Sequence, residues 1–169
     1  MDDLLHSLRK DFPSLKFKSG QEFCWSYQKQ TISYIAQNSN KQSASWALLH
    51  ELSHALLGHQ KYESDLELVT LESEAWAKAK KLATRYGISI DTDHIEDCMD
   101  SYRDWLHQRS SCPQCGTHSL QHESESYFCY NCNQTWRVTS SRFCRPYRKK
   151  HQSVETSNPT SIQNFSLFV

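Results

Sequence analysis

Two histidines and a glutamate stand together in His50-Glu51-Leu52-Ser53-His54, inside a longer stretch running from Trp46 to His59. On an α-helix, residues four apart lie one turn apart on the same face. His50 and His54 can therefore direct two imidazole nitrogens at one metal ion. Glu51 lies beside that ion and can act as a general base. The chemistry implied is zinc-assisted hydrolysis of a peptide bond. Zinc polarises a carbonyl and lowers the pKa of water to about 7. Glu51 takes the proton and passes it to the leaving amine. Tyr62, His94, Tyr102 and His107 are candidate donors to the oxyanion.

A second group of metal-binding type lies further on. Cys112 and Cys115 form one C-x-x-C pair, and Cys129 and Cys132 form another, with 13 residues between them. Each pair brings two thiolates to one side of a turn, and four thiolates close a tetrahedral shell around zinc. A shell of that kind has no position for substrate, so its role is structural. The hairpin strands expected around it, at 117–123 and 126–128, make a zinc ribbon. Two zinc ions per chain follow, one catalytic and one structural.

The elements that position these residues can be read from periodicity. Leu4, Leu5 and Leu8 give residues 2–10 one apolar side, which predicts a short helix ending at Phe12-Pro13. Alternation over 15–18, 21–27 and 31–36 predicts a three-stranded antiparallel meander, with Phe23, Trp25 and Tyr27 on one face. Asn40 or Ser43 is placed to cap a helix over 44–57 that stops at Gly58. This helix is apolar nearly all round and so should be buried. Its His50, Glu51 and His54 would then be costly polar groups, unless a metal pairs them. Ser64 and Glu67 fit a capping box opening a second helix to Tyr86, with Ala75, Ala79, Leu82 and Tyr86 on its core face. Glu74 sits at the edge of that face and is the candidate third ligand. Glu72 is about 200° around the helix from Glu74 and is not expected to share its site. Asp91 caps a third helix to about Gln108, with acids in its first turn and bases in its last. The fold class is α+β: a small antiparallel sheet packed on the His50/His54 helix and two further helices, followed by the ribbon.

Glu74 lies 20 positions beyond His54, which resembles the gluzincin, or thermolysin-like, arrangement. The resemblance becomes more specific in the blocks His50-Glu-Leu-Ser-His-Ala-Leu-Leu-Gly-His59 and Glu72-Ser-Glu-Ala-Trp-Ala-Lys-Ala79. They look like the HELxHxxxxH and E-x-E-A-x-x-x-A blocks of the ImmA/IrrE-type metallo-endopeptidases, over about residues 20–86. That resemblance implies that His50, His54 and Glu74 bind zinc and that Glu51 is catalytic. It also implies a cytosolic enzyme, of a kind associated with cleaving DNA-binding repressors. His59 is read as a surface residue or a support for a ligand. Thermolysin-like proteins often carry an Asp four residues after the ligand Glu to orient a zinc histidine. Here Lys78 stands at that place, so the orienting carboxylate is sought at Asp65 or Asp104. The chain departs from the family in having no evident helix-turn-helix and in carrying the four-cysteine module.

The chain as a whole limits the other readings. Its 169 residues suit one domain of ordinary size with an appendage. The division expected is a peptidase domain over 1–109, the ribbon over 110–139 and a basic, then polar, disordered tail over 140–169. The 19 basic and 19 acidic side chains cancel, and the ribbon itself is not basic, so a nucleic-acid partner is not favoured. A protein or peptide substrate is, and it would lie along the edge of the meander. No apolar run is long enough for a membrane span, and the first residues lack the pattern of a signal peptide. Paired cysteines with three left over (Cys24, Cys98 and Cys144) fit metal binding in a reducing compartment, hence the cytoplasm. Two other functions compete. One is a SprT-like protease acting on DNA-bound proteins. The other is a non-enzymatic nucleic-acid- or protein-binding module in which only the ribbon holds metal.

Overall fold

The computed structural model describes residues 1–37, 40–139 and 149–150. The tail expected over 140–169 lies, apart from 149–150, outside the described residues. The class is α+β, with four helices and two small sheets among the described residues. The chain divides into two compact units. Of the described residues, one comprises Met1–Lys61 and Leu71–Ile95, and the other Tyr62–Thr70 and those from Glu96 on. The boundary expected at 109/110 follows the composition shift at Ser110, where the cysteines begin.

The first unit opens with α1 (Asp2–Asp11), which buries Leu4, Leu5 and Leu8. Strands β1 (Lys16–Ser19), β2 (Cys24–Ser26) and β3 (Thr31–Tyr34) follow. Their order is β1-β3-β2, with β1 parallel to β3 and β2 antiparallel to it. The expected meander is therefore corrected: β3 inserts between the other two. Alternation of side chains is the same in parallel and antiparallel pairing, so it fixes the faces of a strand but not its partner. Phe23, Trp25 and Ile32 are buried, whereas Tyr27, placed with them by alternation, is exposed beyond the end of β2.

Helix α2 (Lys41–Leu57) is capped by Asn40, whose side chain accepts from the backbone N–H of Gln42 and Ser43. Gly58 ends it at φ 70°, a conformation glycine takes without steric cost. Residues 44–54 are buried without interruption, as expected of a helix apolar on all sides. Strands β2 and β3 lie against it. Helix α3 (Asp65–Arg85) buries Leu68, Glu72, Ala75, Trp76, Ala79, Leu82 and Ala83, the i, i+3, i+4 stripe of one helix face. The Ser64 hydroxyl accepts from the Glu67 N–H at 3.1 Å, while the Glu67 carboxylate reaches back to the N–H of Glu63 at 2.6 Å.

The second unit holds most of α4 (Thr92–Ser110) and the four-cysteine module, with strands β4 (Gln121–Glu123), β5 (Ser126–Phe128), β6 (Thr135–Arg137) and β7 (Lys149–Lys150). These pair antiparallel in sequence order. Cys112, Tyr127, Cys129, Trp136 and Val138 form its buried cluster, with Tyr127 and Trp136 stacked. Beside it, Arg109 grips Asp65 through two hydrogen bonds of 2.6 and 3.1 Å, and the Tyr127 hydroxyl donates to the same carboxylate.

Candidate metal centres

The first centre lies within the first unit. Helix α2 places the Nε2 atoms of His50 and His54 3.1 Å apart. Glu72 of α3 brings Oε2 to 3.2 Å from His50 Nε2 and Oε1 to 3.5 Å from His54 Nε2. These three side chains form a group that could hold a metal ion. Each is no more than 2 % exposed. Trp76, one turn along α3, packs its ring against His50 at 4.2 Å between centroids and closes that side.

The third member is thus Glu72, and not Glu74. Glu74 is 56 % exposed and points its carboxylate at His59. The sequence does carry a signal for Glu72. Counting back from the core face Ala75, Ala79 and Leu82 by three or seven positions reaches 72, and then 68, so Glu72 lies on the buried stripe. Glu74 lies about 100° off Ala75 and outside it. The spacing of 20 from His54 outweighed the helix's own periodicity in favouring Glu74.

Glu51 lies beside this group and is 1 % exposed. Its Oε2 accepts from the backbone N–H of Trp25 at 2.6 Å, while its Oε1 is buried with no hydrogen-bond partner. Burial pushes its pKa up to about 7, against the pull of His54 and of the Trp25 N–H. Burial alone would raise Glu72 as well, but hydrogen bonds and charge from His50 and His54 hold it far below the usual carboxylate range. The neighbouring Cys24 thiol is pushed up to about 11, by burial and then by the charge of Glu51, which leaves it a neutral thiol.

The residues fit a cation. Two imidazole nitrogens and a carboxylate converge on one buried point. One ion satisfies all three. The three separations, 3.1–3.5 Å, lie at and just below the edge of a tetrahedron built on Zn–N and Zn–O bonds of about 2.0–2.2 Å, which is roughly 3.3–3.6 Å.

The Nδ1 of His54 is 2.9 Å from Nδ1 of His59. His59 in turn presents Nε2 to Glu74 at 3.4 Å. Asp65, one of the two carboxylates sought for orienting a metal-bound histidine, is instead occupied by Arg109 and Tyr127. Of the candidate oxyanion donors, His94 packs on the rings of Trp46 and Trp76. Tyr62, Tyr102 and His107 belong to the second unit.

The second centre joins Cys112, Cys115, Cys129 and Cys132, whose sulfur atoms all lie within 4.8 Å of one another. Cys112 and Cys132 are 3.6 Å apart, and Cys115 and Cys129 are 3.5 Å apart. The two knuckles repeat one backbone plan. Gly116 (φ 75°) and Asn133 (φ 59°) follow the second cysteine of each pair in the left-handed region. Their N–H groups donate to the carbonyls of Cys112 and Cys129. The Cys112 N–H donates to Thr117, and the Cys129 N–H to Gln134. Hydrogen bonds with Thr117 and Asn131 pull the Cys115 thiol down, while Cys132, with hydrogen bonds to the other three sulfurs, is pushed up.

No protein-family model, curated protein or solved structure matches the chain. Among the described residues, no helix is long and apolar enough to cross a membrane.

Proposed function

We propose that the chain is a zinc-dependent endopeptidase, with His50, His54 and Glu72 holding the catalytic ion and the four cysteines a structural one. The observation that carries the reading is the convergence of His50, His54 and Glu72 beside a buried glutamate that has one oxygen fixed and the other unpaired. When bound, zinc supplies a Lewis acid for the peptide carbonyl and for water. Glu51 does the proton work: the Trp25 N–H fixes Oε2, and Oε1 is left to take a proton from water and deliver it to the leaving amine. Trp25 lies on β2, an edge strand of its sheet, and its outward N–H is the one given to Glu51. The HELxHxxxxH and E-x-E-A-x-x-x-A blocks supply a second line of support, through their resemblance to ImmA/IrrE-type peptidases. The ligand glutamate proposed here is Glu72 in place of Glu74. A protein substrate in the cytoplasm is the reading that goes with that resemblance. The test compares the proteins cut in cells by the wild type and by Glu51→Gln. Fragments present only with the wild type support the reading, and identical patterns contradict it.

One observation favours a second reading. His50, Glu51, His54 and Glu72 are each no more than 2 % exposed. The surface concavities lined by Lys80, Thr84 and Ile88 and by Gln42, Trp46 and Ser89 include none of them. A metal so enclosed can tie α2 to α3 without doing chemistry. Under this reading zinc removal lowers thermal stability, and neither wild type nor Glu51→Gln cleaves any protein.

A further inference from the structure

The geometry points to His59 and Glu74 as positioning residues that fix the tautomer and orientation of His54. The inference rests on the metal site proposed above, but not on peptidase activity.

His54 presents Nε2 to His50 and Glu72, so Nε2 is the atom whose lone pair a metal would take. A neutral imidazole carries one proton, and here it must then sit on Nδ1. That atom is 2.9 Å from Nδ1 of His59. Two facing ring nitrogens can share only one proton, so His54 donates and His59 Nδ1 accepts. The proton of His59 is thereby placed on its Nε2, the atom 3.4 Å from Oε2 of Glu74. One condition, a free lone pair at His54 Nε2, settles every proton in the chain from His54 through His59 to Glu74. The opposite order would put a proton on His54 Nε2 and block the ligand position.

His59 is held for this task by its backbone. The left-handed turn at Gly58 folds the chain back over the end of α2. The His59 N–H donates to the His54 carbonyl at 3.0 Å, and its own carbonyl accepts from Trp25 Nε1 at 3.0 Å. The His59 side chain is 6 % exposed, whereas that of Glu74 is 56 % exposed. Solvent screens the Glu74 end, so its share is the smaller one. His50 has no counterpart, since its Nδ1 is buried without a partner. The two histidine ligands are therefore unequal, and His54 is the one whose donor state the protein enforces.

The test uses the full chain and zinc alone. Affinity is measured by chelator competition, with the metal at the four cysteines as internal reference, for wild type, His59→Ala, His59→Asn and Glu74→Gln. His59→Ala is expected to weaken the histidine site about 10–100-fold while the cysteine site is unchanged. His59→Asn puts an acceptor oxygen where Nδ1 stood and should restore most of the loss. Glu74→Gln should weaken the site less than His59→Ala. Imidazole ¹⁵N shifts of the zinc-loaded wild type need no variant, and they should show His54 protonated at Nδ1 and His59 protonated at Nε2. Unchanged affinity in His59→Ala, or a His59 proton on Nδ1 in the zinc-loaded wild type, overturns the inference while leaving the metal site standing. A wild type that binds zinc only at the cysteines overturns both.

Discussion

The two oxygens of Glu51 are treated differently, one bonded to the Trp25 N–H and the other buried without a partner. An isosteric amide keeps the volume but cannot take a proton. Glu51→Gln is therefore expected to keep both metals and to lose about 10²–10⁴-fold in cleavage rate, measured on a substrate found by comparing cut proteins. Glu72 and Glu74 separate just as sharply. Glu72→Gln replaces a buried ligand and should leave the histidine site without zinc at concentrations that saturate the wild type, whereas Glu74→Gln should still fill; zinc analysis of the two variants decides this. That His50 and His54 converge was legible in the sequence because four-residue spacing on a helix puts both on one face. Glu72 was harder to read. A carboxylate on an apolar stripe looks like an error in the pattern until a partner is supplied, and that partner comes from another helix that sequence periodicity does not place. The four cysteines needed no such context, because each pair is local and the pairs match.

At the scale of elements, the turn after α2 carries more than a chain reversal. Gly58 adopts φ 70°, and a Cβ added there would meet nothing within 4 Å. The cost of Gly58→Ala is thus backbone strain alone, about 1–2 kcal/mol. Chemical denaturation should show it, together with weaker zinc binding because His59 is displaced. The tie between the start of α3, the end of α4 and β5 is a different case. Arg109 and Asp65 form a buried, bidentate pair, with Arg109 also over the Trp105 ring. Removing one member strands a charge, so Arg109→Ala should cost about 3–5 kcal/mol in unfolding free energy. The helices were legible from their caps and stripes: Asn40, Asp91 and the glycines at 58 and 87 stand where the sequence put them. Strand order was not. The link over residues 20–23 is short enough to suggest a hairpin, yet β3 pairs with both β1 and β2, and nothing in a period of two distinguishes those outcomes.

At the scale of the whole molecule, each compact unit contains its own group of side chains that could hold a metal, and the two groups share no residue. Metal loss is expected to be separable. Cysteine substitution should remove one ion and uncover the Tyr127–Trp136 cluster, which tryptophan fluorescence would report, while the histidine site stays loaded. The number of zinc ions the chain holds, and where it holds them, is therefore decisive. The measurement is zinc content per chain for the wild type and for Cys112→Ser/Cys129→Ser, each purified with zinc and freed of loosely held ion. Two ions in the wild type and one in the double variant are the predicted result. One ion in the wild type and none in the double variant would contradict the proposed site at His50, His54 and Glu72.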